Sequence, residues 1–502
     1  MRLQLLLCTT ILMLGVPVYT MNEQEFNQAL ASVHQLQKQA LLAQADESVQ
    51  QILTANSTTL SDEQKRTLEF ELERSRRIRR DYSKTEEQVK DTLQRRLAEG
   101  VYSDAAFEEW KAEGYFDFKS VDGDELLYLG SSVPNFFHRH ETIKPKDFKA
   151  EPTKWELFLL DEAKRVVAEV ENSHESMAIP RDFEMWMRIN VKPGVVKEGV
   201  PIRVWMPFPQ DFKYQTQVNF LESLPVVNSI SPQDYPHRSL YFEAPAGPQD
   251  LPNKFFARWE MRRFPQHTNI VAAEVPEKQN VDLAMEFLGE KPPHVVFTPE
   301  MIALEKEIAG NLTNPADKAR AYYDWISHNI KYSYAHEYST LHNISDFVRR
   351  NGYGDCGQIS LLYITLCRIG GIPARWSTGW VIYPMYTGLH DWSEIYLEPY
   401  GWVHVDANWG IFIERDFYGV SREDKDFLKD FYFGGMDAYR FTANRDHGYA
   451  HTPEKTDFRS DTVDFQRGEL EAGGKNIYFN DFSFKLNVQY LEGHNKADGA
   501  FD

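Results

Sequence analysis

"GYGDCGQISLLYITLCRIGGIPARW", residues 352–376, is the stretch that decides the fold of this chain. Three glycines surround Cys356, and glycine lets the backbone turn sharply into a helix and lets another group approach closely. Residues 359–369 are apolar nearly all round, which is typical of a helix buried in a domain core, and the glycine pair that follows can end it. The stretch therefore predicts a central buried helix that begins at Cys356.

The position of Cys356 favours chemistry over packing. The positive end of a helix dipole lowers the pKa of a thiol and favours the thiolate, while the free N–H groups of the first turn can stabilise an oxyanion. Cys367 lies inside the apolar run and is interpreted as inert packing. Eleven helical residues separate the two by about 16 Å, whereas a disulfide needs Cα atoms within about 7 Å, so we expect no bridge between them.

A second stretch supplies partners for a thiol nucleophile. "HDWSEIYLEPYGWVHVDANWG", residues 390–410, alternates like two strands joined by a turn, with His390 at the start and Asp406 at the end. Cysteine, then histidine, then aspartate is the order of a papain-like triad. A tight hairpin centred on Tyr400 would pair Asp406 with Glu394, about 13 Å along the strand from His390. A wider loop over residues 396–400, or a bulge, would bring the two side chains opposite each other, and the residues alone leave this open.

Together the two stretches resemble the catalytic core of the transglutaminase-like superfamily, across residues 290–415. In that family a cysteine at a helix start is followed by Gly-Ile-Pro-Ala-Arg, then His-x-Trp-x-Glu, then Trp-x-x-x-Asp, and all three segments are present in order. The resemblance implies Cys356 as nucleophile, His390 as general base and acid, and Asp406 as the residue that orients the histidine. The spacing within the family favours the wider loop. "FYFGGMDAYRFTANRD" (431–446) and "DFQRGELE" (464–471) resemble the tails of secreted bacterial members, which imply no mechanism.

The resemblance implies thiol-dependent acyl transfer on peptide or carboxamide bonds. Secreted bacterial relatives favour hydrolysis, by a cysteine protease or amidase. The alternatives are a transglutaminase that crosslinks protein glutamines and a non-catalytic binding protein on the same scaffold; retention of all three triad residues counts against the second. A protein, peptide or glycopeptide is the expected substrate.

Three features depart from the family pattern or stay open. Asp391 follows the histidine where many members have a small residue, so a second carboxylate is expected near the site. Calcium-site spacing is not apparent in the sequence, so the calcium dependence of animal enzymes is not carried over, and neither a metal nor a cofactor is expected. The second oxyanion donor is open among Tyr322, Tyr323, Trp325, Tyr332 and Tyr334.

Further aromatic and polar residues have two interpretations each. Trp380, Trp392 and Trp409 are candidates to line a substrate groove, although tryptophans are more often core residues. His404 shares a strand face with Asp406, and a zinc site of Cys356, His390, His404 and Asp406 is disfavoured because alternate residues of one strand seldom converge on one ion. Glu394 and Arg375 can form an internal ion pair.

The rest of the chain predicts a multidomain α+β protein, since 502 residues exceed a single core. Strictly alternating apolar residues such as those at 183–191 and 255–261 indicate an antiparallel β domain, with a sandwich as the expected form. The predicted domains are a signal peptide (1–20), a helical N-terminal region (22–118), a linker and helix (119–177), a β-sandwich-like domain (178–270), a papain-like transglutaminase-like core (285–415) and a mixed β-rich C-terminal extension (416–502).

The net charge limits the partners, and the N-terminus indicates the compartment. A net charge of −20 argues against nucleic acid or anionic lipid as the main partner. "MRLQLLLCTTILMLGVPVYT", residues 1–20, has a basic start and a short apolar run, which predicts a cleaved secretory signal rather than a membrane span. We expect a secreted or periplasmic protein with no membrane insertion after cleavage.

Overall fold

The computed structural model describes residues 21–123 and 125–491, so the predicted signal peptide lies outside the described residues. The chain is α+β and divides into two compact units: unit 1 is the described part of residues 1–80 and 119–127, and unit 2 is the described part of 81–118 and 128–502. The helical N-terminal region predicted over 22–118 is therefore divided between the two units.

The α-helices of the described residues are numbered in chain order: α1 Glu23–Lys38, α2 Leu42–Ala55, α3 Asp62–Asp81, α4 Glu86–Arg96, α5 Asp104–Ala112, α6 Ser132–Arg139, α7 Lys154–Ser173, α8 Pro299–Ala309, α9 Pro315–Asn329, α10 Ile344–Asn351, α11 Cys356–Ile369, α12 Ala407–Arg415 and α13 Arg422–Tyr432. The strands are β1 Tyr82–Thr85, β2 Phe118–Val121, β3 Glu125–Leu129, β4 Arg181–Val191, β5 Pro201–Pro207, β6 Gln215–Leu224, β7 Ser229–Ile230, β8 Ser239–Pro245, β9 Asn253–Arg263, β10 Gln266–His267, β11 Lys331–Tyr332, β12 Tyr353–Gly354, β13 Ala374–Tyr383, β14 Tyr386–Leu397, β15 Gly401–Val405, β16 Gly435–Met436, β17 Arg440–Asn444, β18 Glu469–Ala472, β19 Lys475–Asn476 and β20 Phe482–Tyr490.

Unit 1 is built on amphipathic helices. Asn22 begins α1 by accepting the backbone N–H of Glu25, whose side chain accepts the N–H of Asn22 in return. The apolar stripes of α1, α2 and α3 meet in a small core. Its buried members are Phe26, Val33, Ala45, Val49, Leu60 and Leu68.

A β-sandwich occupies one side of unit 2. Its sheets have the strand orders β20-β4-β9-β6 and β19-β18-β5-β8-β7. The alternation predicted for 183–191 is present in β4, where every second side chain from Phe183 to Val191 is buried in the core between the sheets.

The C-terminal strands belong to this sandwich. β20 pairs with β4 along its whole length, from Phe482 opposite Val191 to Tyr490 opposite Phe183, and β18 pairs with β5. The sequence predicted a sandwich within 178–270 and a separate β-rich extension after 416. The extension is not separate, because its strands β18 and β20 pair with the edges of β5 and β4 and so complete the two sheets of the sandwich.

The other side of unit 2, here called the cysteine domain (residues 299–444), packs helices on a four-stranded antiparallel sheet of order β15-β14-β13-β17. Helix α11 crosses one face of this sheet and is buried from Gly357 to Arg368. The sandwich lies against β13: Trp380 contacts Phe484 edge-on, and the Tyr490 hydroxyl donates to the Ile382 carbonyl at 2.8 Å.

The segment predicted as a linker and a helix over 119–177 holds a further helix, α6. Asn135 of this helix accepts the Tyr334 N–H at 2.8 Å, and Arg139 donates to the Ser333 hydroxyl at 2.7 Å. These polar contacts hold α6 in place. Their partners lie far along the chain, so the sequence of this segment alone did not predict a separate helix here. Within residues 21–123 and 125–491, no helix combines the length and apolar character that crossing a bilayer requires.

Candidate active site

Cys356 is the first residue of α11. Asp355 begins the helix: its carboxylate accepts the Gln358 N–H at 3.0 Å, and the Gln358 side chain accepts the Asp355 N–H at 3.3 Å. This reciprocal cap satisfies two backbone groups at the start of the helix. Cys356 is half-buried as a residue, while most of the helix behind it is fully buried.

Gly357 makes room beside the sulfur. A Cβ at this position would lie 2.0 Å from the Tyr338 hydroxyl oxygen, and 2.7 Å from both Asp391 Oδ2 and a ring carbon of Trp376. Real Cβ atoms do not approach other atoms so closely. The glycine after the cysteine therefore admits Tyr338 and Asp391 to the site.

His390 and Asp406 meet as the triad interpretation requires. His390 lies on β14, and its Nε2 is 2.8 Å from Asp406 Oδ2. The neighbouring hairpin is not the wider one that the family spacing favoured: Leu397 lies opposite Gly401, and Glu394 opposite His404. Asp406 reaches His390 because β15 ends at Val405 and Asp406 caps α12, accepting the Trp409 N–H at 3.0 Å. Among the described residues, His390 Nδ1 has no hydrogen-bond partner, so it can accept a proton.

Arg440 stabilises the aspartate from behind. Its guanidinium is 2.5 Å from Asp406 Oδ2 and 3.4 Å from Asp437 Oδ2, and all three side chains are at most 1% exposed. Burial raises the pKa of Asp406, but His390 and Arg440 outweigh burial and the net pKa is lowered. Asp406 is thus an ionised acceptor for the imidazole.

The thiol of Cys356 donates to Asp391 Oδ2 at 3.4 Å. Burial, then the nearby carboxyls of Asp391 and Asp355, raise the pKa of the Cys356 thiol well above its usual value. The helix terminus was expected to lower this pKa; the net direction is upward, because burial and the two carboxyls act against it. Burial and, after it, Asp355 likewise raise the pKa of Asp391, to about 8.

Two segments far along the chain complete the site. Gln466 donates through Nε2 to Asp391 Oδ1 and to the His390 carbonyl, both at 2.9 Å. Gln466 and Arg440 belong to the two tail segments to which the sequence assigned no mechanism. Their only sequence signal was the resemblance of those tails to secreted bacterial proteins.

The three candidate groove tryptophans are buried. Trp380, Trp392 and Trp409 are 4%, 0% and 4% exposed. Trp392 and Trp409 pack against the His390 ring, with ring centroids at 6.0 and 5.5 Å, and Trp380 faces the sandwich. The structure therefore gives them no open groove, because they pack against His390 and at the domain interface instead.

The five candidates for the second oxyanion donor differ in burial. Tyr322 and Tyr323 are core residues whose hydroxyls donate to Glu305 and to the Lys429 carbonyl, so both are engaged elsewhere. Trp325 and Tyr332 are half-buried, and Tyr334 is 47% exposed. Burial first, and the charge of Cys356 second, raise the pKa of Tyr332, so Tyr332 is the candidate that interacts electrostatically with the thiol.

His404 is a structural histidine. Its Nε2 lies 3.4 Å from Glu394 Oε1, and Glu394 also binds Arg445 at 3.2 Å and forms the expected ion pair with Arg375. Burial, then the surrounding arginines, lower the pKa of His404 well below its usual value. This arrangement engages His404 away from the triad and does not favour the four-residue zinc site.

Comparison with known proteins agrees with the geometry of this segment. Residues 302–407 match the family model of the transglutaminase-like superfamily. This segment is a transglutaminase-like domain. No match was found among curated proteins.

Solved structures give distant likenesses to parts of the chain. One is a candidate cysteine protease from Cytophaga hutchinsonii, at 14% identity and a TM-score of 0.43, covering 64% of this chain and 93% of that one. Another is the periplasmic domain of TgpA from Pseudomonas aeruginosa, at 14% identity and a TM-score of 0.26, covering 52% of this chain and 94% of that one. At such identities these proteins carry no argument about activity.

Proposed function

We propose that this protein transfers acyl groups through Cys356, His390 and Asp406 and acts as a cysteine protease or amidase on peptide or carboxamide bonds. The observation that carries the proposal is the 2.8 Å contact between His390 Nε2 and Asp406 Oδ2, in a transglutaminase-like domain whose cysteine begins a buried helix. Nucleophilic catalysis needs a base oriented by a third group; the Asp406–His390 contact supplies that pair, and we infer that His390 Nδ1 serves the Cys356 thiol.

In the first half of the reaction the thiol is the nucleophile. The S–H proton passes to His390 Nδ1, and the sulfur electron pair attacks the carbonyl carbon. The carbonyl π electrons move to oxygen, where the N–H groups at the start of α11, with Tyr332 as the proposed second donor, would stabilise the negative charge. When the intermediate collapses, the C–N bond breaks, the leaving amine takes the proton from His390, and a thioester remains on Cys356.

In the second half an acceptor releases the acyl group. Water gives its proton to His390 Nδ1 and attacks the thioester, the C–S bond breaks, and the proton returns to the sulfur. A primary amine in place of water would give a crosslink, because the chemistry is shared and access of the acceptor decides the product. The proposed substrate is a protein, peptide or glycopeptide outside the cytoplasm, and these steps require neither a metal nor a cofactor.

The test is mass spectrometry of a peptide and glycopeptide library incubated in ¹⁸O-labelled water, with and without a primary amine. Wild type should release fragments with ¹⁸O in the new carboxyl group. Cys356→Ala should abolish this release, and the matched variant Cys367→Ala should retain it. His390→Ala should come close to Cys356→Ala, whereas Asp406→Asn should lose less, since an orienting residue is partly replaceable.

Three outcomes would change the assignment. Turnover that survives in Cys356→Ala would refute the thiol mechanism. Amine adducts in place of ¹⁸O products would assign crosslinking. A wild-type protein that retains a peptide tightly without converting it would assign a binding role to the scaffold.

A further inference from the structure

A carboxyl group lies in direct contact with the sulfur of Cys356. Asp391 Oδ2 is 3.4 Å from Cys356 Sγ, although His390, next to it on β14, is the residue that must remove the thiol proton. The catalytic sequence as proposed above gives Asp391 no task. A buried carboxyl that touches a nucleophile therefore needs its own explanation.

The structure holds Asp391 firmly in this position. Its Oδ1 accepts Gln466 Nε2 at 2.9 Å and the Thr378 hydroxyl, which fixes the plane of the carboxyl group with Oδ2 toward the sulfur. The absence of a side chain at Gly357 leaves the space that Oδ2 occupies. The Tyr338 hydroxyl lies 3.4 Å from the same oxygen. Four residues from separate parts of the chain thus build a seat for this one group.

The residues around Asp391 disfavour more than one negative charge in this pocket. Asp391 is 2% exposed, and the other charges that act on it come from the carboxyls of Asp355 and Asp461, which are also unfavourable to a second anion. Asp464 adds a further buried carboxyl, and the cation of this cluster, Arg467, pairs with Glu337 at 2.8 Å and with Asp461 at 3.5 Å rather than with Asp391. The tyrosines that face the pair are Tyr332, Tyr338 and Tyr386.

We propose that Asp391 is a positioning residue that restrains the nucleophile: it competes with Cys356 for the single negative charge that this pocket can hold and so keeps the proton on the sulfur until His390 removes it. Two anions 3.4 Å apart in a buried site repel strongly, so the carboxylate and the thiolate exclude each other. The raised pKa of each group agrees with this competition. On activation the S–H bond breaks, its electrons stay on sulfur, and the proton moves to His390 Nδ1.

The inference rests on the proposed function for its purpose, but its test needs no substrate. The rate of iodoacetamide alkylation of Cys356 is measured on the full-length protein between pH 6 and 10, by mass spectrometry of the peptide that contains it. In Asp391→Asn the competing charge is gone, so the midpoint of the alkylation profile should fall by at least about one pH unit relative to wild type. In the proposed reaction the same variant should move the pH profile of kcat/KM in the same direction.

Two further variants keep the result decisive. Asp355→Asn removes the other nearby carboxyl and keeps a good helix cap; because Asp355 binds the Tyr338 hydroxyl at 2.9 Å rather than the sulfur, its shift should be clearly smaller. Thr378→Val leaves Asp391 in place but removes a donor that favours its ionised form, so the midpoint should fall by less than in Asp391→Asn. Circular dichroism verifies the fold of each variant. If Asp391→Asn does not fold, the alkylation midpoint of Thr378→Val tests the proposal in its place.

An unchanged midpoint in a folded Asp391→Asn protein would overturn the restraint. Equal shifts in Asp391→Asn and Asp355→Asn would overturn it too, since they would indicate a general acidic field rather than a direct contact. Normal alkylation shifts in a protein that converts no substrate would refute the proposed function and leave the restraint standing.

Discussion

Removal of the Arg440 guanidinium should be among the most damaging single changes to this fold. Arg440→Met keeps an unbranched apolar stem and deletes the cation between Asp406 and Asp437; all three side chains are at most 1% exposed. Breaking a buried ion pair by removing one partner costs about 3–5 kcal/mol, because the remaining carboxylates stay buried without the cation that offsets their charge. The folded-to-unfolded ratio should therefore fall by about two to three and a half orders of magnitude.

An exposed arginine with two acidic partners gives the matched control. Arg422 lies 2.7 Å from Glu414 and also pairs with Asp426, but its side chain is 54% exposed. Solvent-exposed pairs contribute about 0–1 kcal/mol, so Arg422→Met should lower the free energy of unfolding by no more than that. The two variants delete the same group from the same kind of pair and differ in burial.

Urea titration followed by tryptophan fluorescence measures both effects. The signal is suited to this site because the Arg440 guanidinium lies 5.3 Å from the Trp392 ring centre and 5.9 Å from that of Trp409. Equal losses of stability in Arg440→Met and Arg422→Met would refute the reasoning, since burial would then not decide the cost.

Three shorter predictions concern the thiols, the glycine beside the nucleophile and acid stability. Iodoacetamide at neutral pH should label half-buried Cys356 on the order of tenfold faster than fully buried Cys367, and equal rates in peptide mass spectra would contradict the assigned exposures. Gly357→Ala should cost about 1–3 kcal/mol by thermal melting, because its Cβ would lie 2.0 Å from the Tyr338 hydroxyl; Tyr338→Phe should recover part of the loss, and an unchanged melt would disprove the clash. Burial lowers the pKa of His404, so the stability from its neutral ring is present above about pH 6.5 and is lost as the pH falls through the lower folded pKa. His404→Gln should thus lose less stability than wild type on acidification, and identical acid midpoints would rule this out.

Local signals made part of the fold predictable. The strict alternation of β4 and the glycine-flanked start of α11 each depend on neighbours in sequence, and the structure has both. The Arg375–Glu394 ion pair was also foreseen, since the two residues lie opposite each other on paired strands. Such features follow from the periods of strands and helices alone.

Long-range features were out of reach. Asp406 meets His390 because a strand ends one residue earlier, and no turn pattern in "EPYG" encodes that end. Tryptophan is common both in substrate grooves and in cores. Only the packing shows that Trp380, Trp392 and Trp409 are buried. The direction of the Cys356 pKa was predicted from the helix terminus, an effect of about 0.3–1 kcal/mol. Burial and nearby carboxyls can shift a pKa by several units, and both depend on packing that the sequence does not show.

The late position of β20 has a consequence for the time at which the protein can assemble. β4 ends at Val191 and β20 begins at Phe482, so about 290 residues must follow before β4 receives its second neighbour. At ribosomal rates of about 5–20 residues per second, that edge waits for roughly 15–60 seconds after it is made. Gln466, which holds Asp391 in place, is made only shortly before β20. A nascent chain therefore carries one unpaired edge of β4, open to wrong partners, for most of its synthesis, and Cys356 does not acquire its finished surroundings until near the end.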